Sequence, residues 1–233
     1  YDPFHNGHAW QLAQAKALGA ERVAVAMSCS LVQRGALPLL PEAVRTRSAL
    51  TCGADLVFAL PAPCACAGAE AFARAGVALL AAAGCDGLVF GAETPDAALL
   101  MEAAELLDSG SYRAALLDKP NNNLAVEYCR AIRSLAPRME AYPLPRQGAN
   151  HGEALHSAHG QFASASALRK LWAEGGADAV APYVPEAVFP LYQEAYAAGQ
   201  YTDFSAAGRC ELALLRSACR GKAPFADIRG VSE

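Results

Sequence analysis

The chain lacks the features that mark several classes of protein. Its 233 residues include eight cysteines, yet there is no Cys-x-x-Cys pair and no Cys/His cluster with the spacing of zinc ligands. No apolar run approaches the roughly 20 residues that a membrane-spanning helix needs, because glycine, proline and charged residues interrupt each candidate. There is no internal repeat, and the formal net charge of −4 gives no overall positive field for nucleic acid. A zinc module, a helical membrane protein and a repeat protein are therefore disfavoured. Any RNA binding must use a local patch or a segment missing from the sequence.

The sequence does contain enough apolar residues to form a hydrophobic core. Apolar residues make up 54% of the chain and charged residues 18%, a composition typical of a globular protein with a sizeable core. Most cysteines lie among Ala, Leu and Val, which predicts small reduced core residues of a cytoplasmic protein. The first motif follows Tyr1 so closely that the strand expected before it has no room. We therefore expect a fragment that lacks residues at both ends.

Helical and extended patterns alternate along the first 175 residues. Extended runs are predicted at 22–27, 55–60, 87–90 and 140–144, and helices at 9–19, 41–52, 70–83, 96–107, 124–135 and 165–175. Strands separated by helices of this length predict an α/β fold, a doubly wound parallel sheet with helices on both faces. Beyond this region, Pro182, Pro185 and Pro190 interrupt helical stretches. We expect one α/β domain at 1–175 and the start of a truncated, mainly helical domain at 176–233.

The motif with the clearest chemistry lies just before the first predicted helix, where His5 and His8 flank Asn6 and Gly7. With His8 in the first helical turn, both rings can point toward the helix N-terminus. That end attracts anions through its backbone N–H groups and the helix dipole, and Gly7 permits close backbone approach. Imidazoles can donate hydrogen bonds to phosphoryl oxygens, whose chemistry needs charge stabilisation more than a covalent nucleophile. The motif predicts that His5 and His8 act at the α-phosphate of ATP; the structural alternative is a satisfied pair of loop histidines or an incidental metal site.

A second phosphate-binding element is predicted late in the α/β region. Ser164 and Ser166 can cap a helix and donate to phosphate, and Arg169 can reach the β- and γ-phosphates. Taken alone, this stretch is equally typical of an ordinary Ser-capped helix. Together with the His-Asn-Gly-His motif it resembles the HIGH nucleotidyltransferase superfamily, which includes class I aminoacyl-tRNA synthetases and small adenylyltransferases. The resemblance implies a Rossmann-like nucleotidyltransferase domain at 1–175.

Further stretches resemble one family in particular, the bacterial tRNA(Met) cytidine acetate ligases. The similarity covers most of the chain and includes 1–8, 27–35, 53–61, 90–93, 120–128, 146–148 and 164–170. The Val-Gln-Arg-Gly and Pro-Asn-Asn elements within these ranges are specific, because they are not general to the superfamily. The resemblance implies that acetate is activated with ATP and Mg²⁺ to acetyl-adenylate and pyrophosphate. The acetyl group then passes to N4 of the wobble cytidine in elongator tRNA(Met).

The same resemblance implies roles for individual residues. His5 and His8 would stabilise the α-phosphate transition state, and Gly91 would lie against the adenosine at the carboxyl end of its strand. The other nucleotide-binding residues would be Asn6, Gly7, Asn121, Asn122, Arg146, Ser164, Ser166 and Arg169. Gln33, Arg34 and Gly35 would line the cleft for acetate or the cytidine. No residue is assigned to a metal, and Mg²⁺ is expected from the triphosphate chemistry alone.

Two of these roles have structural alternatives, and the chain departs from the family pattern in three places. Asn121 and Asn122 could form a helix-capping turn, and Arg34 could be a solvated surface charge. Glu42-Ala43 stands where the family usually has Asp-Lys, so a basic group expected near the phosphates is missing. Activity would then be weaker or would depend on Arg45 or Arg47. The stretch between Leu107 and Pro120 is shorter than in the family, and Asn123 occupies a usually apolar position.

The RNA partner has less support from the sequence. One set of basic residues either forms a face for tRNA or serves as solubilising surface charge: Arg130, Arg133, Arg138, Arg146, Arg169 and Lys170. A polar loop containing His151, His156 and His159 is expected at the surface. Two other functions compete with the acetate ligase: a small-molecule adenylyltransferase of the nicotinate mononucleotide or phosphopantetheine type, and a non-catalytic RNA-binding protein.

Overall fold

A computed structural model describes residues 1–110, 118–145, 156–157 and 160–218. Its α-helices are α1 (Asn6–Ala17), α2 (Glu42–Thr51), α3 (Ala62–Ala65), α4 (Ala69–Ala82), α5 (Ala97–Asp108), α6 (Pro120–Leu135), α7 (Ala165–Val180), α8 (Phe189–Ala197) and α9 (Phe204–Ala218). Its strands are β1 (Ala24–Ser28), β2 (Leu56–Leu60), β3 (Gly87–Ala92), β4 (Glu140–Pro145), β5 (His156–Ser157) and β6 (Gly160–Gln161). Short 3₁₀ turns span Gln33–Gly35 and Ala181–Tyr183.

The longer strands form two parallel pairs. β1 pairs with β2, in the register Ala24 opposite Leu56, and β3 pairs with β4, in the register Gly87 opposite Glu140. Each pair is connected through helices, as parallel strands require. The α/β fold class with a helical C-terminal segment is therefore confirmed. Within the described residues the two pairs are separate sheets rather than one continuous sheet, and the strand expected upstream of Tyr1 stays a prediction.

Two apolar clusters hold these elements together. The first joins the opening segment and α1 to β1, α7 and α8, with Phe4, Leu12, Met27, Trp172 and Tyr192 among its members. The second lies between β3 and the helices α4, α5 and α6. Burying one such side chain contributes roughly 1.5–3 kcal/mol relative to leaving it exposed. The first cluster therefore ties the His-Asn-Gly-His motif to residues more than 160 positions later along the chain.

The helical residues 176–201 belong to the first of two compact units. That unit is Tyr1–Tyr201, and the second begins at Thr202. Ala177, Val180, Val184 and Val188 are buried in the first cluster, so the expected boundary near residue 175 falls inside the first unit. The predicted division into domains at 1–175 and 176–233 stays a prediction. Within the described residues, no helix is long and apolar enough to cross a membrane.

Gly176 allows this stretch to turn back onto the α/β region. It has φ +68 and interrupts the helical geometry of α7, a conformation that glycine adopts without strain. A Cβ at this position would come within 2.5 Å of the Tyr196 ring. The kink and the close packing of α8 therefore both depend on the absence of a side chain.

Candidate active site

The N-terminus of α1 is built by the two motif histidines. His5 is the N-cap, and its Nδ1 accepts the backbone N–H of Gly7 at 3.0 Å. The backbone N–H of His5 donates to Nδ1 of His8 at 3.3 Å, which completes a reciprocal capping box. The two rings stack with centroids 3.9 Å apart. The structure thus brings both imidazoles together at the helix end.

These hydrogen bonds define which ring nitrogen of each histidine is the donor. A nitrogen that accepts an N–H carries no proton, so each neutral imidazole holds its proton on Nε2. His5 and His8 are both partly exposed, and Nε2–H is the side-chain donor that each neutral ring has for an anion. The helix dipole adds positive potential at the same place. This end of α1 has the chemistry of a phosphate site with two side-chain donors.

Gly7 and Asn6 contribute in ways that differ from the sequence interpretation. The Gly7 N–H is used by His5, and a Cβ on Gly7 would lie 2.8 Å from Cε1 of His5. Glycine is therefore needed because the His5 ring covers it, as well as for any approach of phosphate. Asn6 is buried, and its Nδ2 donates to the Pro182 carbonyl at 3.2 Å. In this structure Asn6 ties the motif to the 3₁₀ turn after α7.

The second phosphate element lies beside this helix end. Ser164 is the N-cap of α7, where its Oγ accepts the Ala167 N–H at 3.2 Å and lies 3.1 Å from Oγ of Ser166. The predicted capping role of Ser164 is therefore confirmed. One turn later, Nη2 of Arg169 donates to the Asp2 carboxylate at 2.8 Å and to the Asp2 carbonyl at 3.0 Å.

The Arg169–Asp2 ion pair joins the two motifs directly. Asp2 is 8% exposed, and its other carboxylate oxygen accepts the Leu39 N–H at 2.7 Å. The Nε of Arg169 is buried and has no hydrogen-bond partner among the described residues. A buried donor of this kind is costly unless a further acceptor reaches it. The guanidinium therefore has donor capacity beyond the ion pair, and its partner Asp2 lies three residues before His5.

A third group of predicted residues lies at the carboxyl end of β3. Gly91 is exposed there. The Glu93 carboxylate that follows accepts the backbone N–H groups of Asn121 and Asn122 and the side-chain amide of Asn121. The buried Asn122 amide exchanges two hydrogen bonds with Thr94. Asn121 and Asn122 therefore lie inside the first turn of α6, which the Glu93 carboxylate caps, and they do not form a capping turn before Leu124. Nucleotide binding by either residue stays a prediction.

The charge of Glu93 is stabilised by these contacts. Burial acts to raise its pKa, but the hydrogen bonds from Asn121 and from the backbone N–H of Asn122 outweigh that effect, so the pKa lies below its ordinary value. Glu93 thus places a negatively charged carboxylate at the N-terminus of α6. This helix end is already occupied by a carboxylate.

The remaining predicted residues lie elsewhere or outside the described residues. Gln33–Gly35 is a 3₁₀ turn after β1 that is closed by a hydrogen bond from the Gly35 N–H to the Val32 carbonyl, and Gly35 has φ +76. Arg146, His151 and His159 lie outside the described residues. The substrate role of 33–35 and the nucleotide role of Arg146 stay predictions.

Of the two arginines of α2, Arg45 does not supply the missing basic group in this conformation, and that role for Arg47 stays a prediction. Arg45 is completely buried and donates to the backbone carbonyls of Tyr1, Ser28, Cys29 and Leu40. Burial lowers its pKa, with nearby acidic groups opposing. Arg47 is largely exposed, and its guanidinium lies 3.9 Å from Glu194. Replacement of the absent lysine by Arg45 is therefore not supported, because its donors are committed to the backbone.

Sequence reasoning missed Asp2, Glu93 and Arg45 as organisers of the site. The available signal was that Asp2 and Glu93 lie within 1–8 and 90–93, two of the stretches that resemble the family. Their partners lie 167 and 28 residues away, and local patterns do not disclose such pairings. No group of three metal-ligating side chains occurs in the part of the chain that the structure describes.

Comparison with known proteins defines the class. A family model described as HIGH nucleotidyl transferase matches residues 1–116 and 109–221. The chain therefore belongs to the HIGH nucleotidyl transferase family, as its two phosphate motifs predicted.

Its relatives carry a more particular name. A protein of Syntrophotalea carbinolica named tRNA(Met) cytidine acetate ligase is 38% identical over 209 residues, which cover 75% of this chain and 49% of the relative. A protein of the same name from Latilactobacillus sakei is 34% identical over 207 residues, covering 79% of this chain and 53% of the relative. The chain thus spans about half the length of the curated relatives it matches.

Solved structures agree with this relationship. Thermotoga maritima TmcAL bound with alpha-thio ATP has a TM-score of 0.74 at 26% identity, over 86% of this chain and 55% of that chain. The apo form of the same protein has a TM-score of 0.75 at 27% identity, over 86% of this chain and 56% of that chain. The fold is therefore that of a protein whose structure has been determined with an ATP analogue.

Proposed function

We propose that this protein is an ATP-dependent acetate ligase that acetylates N4 of the wobble cytidine of elongator tRNA(Met), in the cytoplasm. The observation that carries the proposal is the helix end of α1. There, His5 and His8 lie together at the start of the helix, and Arg169 forms an ion pair with Asp2, three residues before His5. The names of the relatives and the ATP analogue bound by the Thermotoga protein support the acceptor and the nucleotide.

In the first step an acetate oxygen bonds to the α-phosphorus of ATP. The bond from that phosphorus to the bridging oxygen breaks, and its electron pair leaves with pyrophosphate. Negative charge builds on the α-phosphoryl oxygens, where His5 and His8 donate through Nε2. Arg169 counters the charge of the departing β- and γ-phosphates. Mg²⁺ would enter with the phosphates, which suits an ion that keeps several of its waters and needs few protein ligands.

In the second step the N4 amine attacks the acetyl carbonyl carbon of acetyl-adenylate. The bond from that carbon to the phosphate oxygen breaks, AMP leaves, and the amine proton passes to solvent. The 33–35 turn, which follows β1, is proposed to contact acetate or the cytidine. The nucleotide residues proposed with it are Asn6, Gly7, Gly91, Asn121, Asn122, Arg146, Ser164 and Ser166.

Isotope exchange tests the first step. Purified protein with ATP and radiolabelled pyrophosphate is expected to form labelled ATP only when acetate is added. Omission of acetate is the control for contaminating exchange. Exchange that depends on nicotinate mononucleotide or phosphopantetheine instead of acetate would replace the proposal by a small-molecule adenylyltransferase.

Histidine variants test catalysis against RNA binding alone. His5→Ala and His8→Ala are expected to abolish N4-acetylcytidine formation on tRNA transcripts while tRNA binding is retained. The matched control is His156→Ala, in the segment before α7, which is expected to keep both. Undiminished acetylation by the His5 and His8 variants would exclude the proposed mechanism.

A further inference from the structure

The hydroxyl group of Tyr192 reaches the catalytic motif from the helical stretch after residue 175. Tyr192 lies on α8 and is completely buried, and its Oη donates to the Phe4 carbonyl at 2.6 Å. Its ring packs edge-on against Trp172, with centroids 5.8 Å apart. Phe4 itself is completely buried, with its ring 5.1 Å from Tyr1 and 5.7 Å from His8. The hydroxyl therefore meets the chain one residue before His5.

The peptide that Tyr192 holds is the one that orients His8. A peptide unit is planar, so the Phe4 carbonyl and the His5 N–H turn together and point in opposite directions. The N–H of that unit donates to Nδ1 of His8 at 3.3 Å. An acceptor-side hydrogen bond also polarises the amide and strengthens its N–H as a donor. A continuous chain thus runs from the Tyr192 hydroxyl through the Phe4–His5 peptide to the imidazole of His8.

We propose that Tyr192 is a positioning residue that fixes the ring orientation and the Nε2–H tautomer of His8 through the Phe4–His5 peptide. This inference rests on the proposed function, in which Nε2 of His8 donates to the α-phosphoryl group. It assigns the helical stretch a part in adenylation, in addition to any part in binding RNA.

The surroundings of Tyr192 suit a constant donor. Burial raises the pKa of its hydroxyl far above the ordinary value, which favours the protonated form that can donate. Arg45 and Asp2 are the charged groups that influence it, and they act in opposite directions. If the hydroxyl were removed, the Phe4 carbonyl would lose this partner, and the peptide would keep only the hydrogen bond from the His5 N–H to His8.

The test compares two Tyr→Phe variants, each of which removes one hydroxyl group from the same helix. Tyr192→Phe keeps the buried ring and removes only the donor. Tyr196→Phe is the matched control, because Tyr196 also packs on Trp172, at 5.6 Å, yet is 44% exposed. Its hydroxyl makes no hydrogen bond that the structure records within the described residues. Both variants are compared with the wild type by thermal unfolding before any assay.

Acetate-dependent pyrophosphate exchange then separates positioning from packing. Tyr192→Phe is expected to lower kcat about tenfold, the rate equivalent of about 1.4 kcal/mol, while KM for ATP stays within about twofold because uniform binding is unchanged. Tyr196→Phe is expected to match the wild type. Equal kcat in Tyr192→Phe and wild type, or a rise in KM alone, would overturn the proposal.

Imidazole nitrogen NMR gives a readout that does not depend on activity. In the wild type and in Tyr196→Phe, His8 is expected to show the Nε2–H pattern and the His5 amide proton a downfield position. Tyr192→Phe is expected to move that amide upfield and to populate the Nδ1–H form of His8. If the wild type shows no exchange, the proposed function fails, but the NMR comparison still decides the role of Tyr192. Identical His8 spectra in all three proteins would refute the positioning role of Tyr192.

Discussion

Replacing Asp2 perturbs the contact that joins the two phosphate motifs. The carboxylate accepts two hydrogen bonds, from the Leu39 N–H at 2.7 Å and from Nη2 of Arg169 at 2.8 Å. Asp2→Ala removes both acceptors, whereas the Arg169 contact with the Asp2 carbonyl persists. Asp2→Asn retains one acceptor oxygen, which can accept from the Leu39 N–H or from Arg169 but not from both. Its NH₂ group then faces the remaining donor, with which it cannot form a hydrogen bond.

The structure sets the expected magnitudes. Hydrogen bonds to charged groups contribute about 1.5–3 kcal/mol each, and the Arg169 contact takes the lower end because about a third of that side chain is exposed. Asp2→Ala should therefore lower the free energy of unfolding by about 3 kcal/mol and Asp2→Asn by about 1.5 kcal/mol. For a unit of this size the corresponding falls in Tm are about 6–12 °C and 3–6 °C.

Urea unfolding followed by circular dichroism measures both changes, with equal m-values as the check that the transition is the same. The double-mutant cycle with Arg169→Ala isolates the ion pair. A coupling energy indistinguishable from zero, with Asp2→Asn as stable as the wild type, would refute the assignment of Asp2 as the link between the motifs.

Other predictions follow from single contacts. Gly7→Ala places a Cβ 2.8 Å from Cε1 of His5, so acetate-dependent exchange should fall by about 10- to 100-fold, and normal exchange would contradict the packing. Glu93→Gln should cost about 1 kcal/mol in a denaturant titration through the weaker cap of α6. Folding lowers the pKa of Glu93, so its carboxylate stabilises the folded protein above the unfolded pKa near 4.3, and this stabilisation is lost as pH falls through the folded pKa. If wild type and Glu93→Gln lost stability equally in acid, the capping role of Glu93 would be contradicted. Burial raises the pKa of Cys129 to about 12, so a thiol reagent at pH 8 should label exposed Cys210 in the folded protein and Cys129 only after unfolding.

The fold was predictable because its signals are periodic and local. Alternating apolar runs and helices gave the parallel α/β class, and the elements β2, β3 and α5 lie within two residues of their expected ends. Helix starts were less accurate where distant side chains act. α6 begins at Pro120 rather than near residue 124 because Glu93, from the loop after β3, caps its first turn.

The site was predictable where a motif contains its own geometry. His5, Gly7 and His8 contact one another across three residues, so their arrangement follows from the start of one helix. The partners of Asn6, Arg169 and Arg45 come from segments that sequence patterns do not pair. Whether an arginine pairs with a carboxylate, a carbonyl or a ligand depends on the packing of segments that are distant in the chain.

The way the opening segment is held has a consequence for the order of folding. Asp2, Phe4 and Asn6 are bonded to Arg169, Tyr192 and Pro182, at sequence separations of 167, 188 and 176 residues. Contacts of such high contact order form slowly, because a long loop must close before they stabilise anything. During synthesis the ribosome must release almost the whole first unit before the motif acquires these partners. The two motif histidines precede these partners by more than 160 residues, so the contacts that hold their segment form only after the later helices have been synthesised.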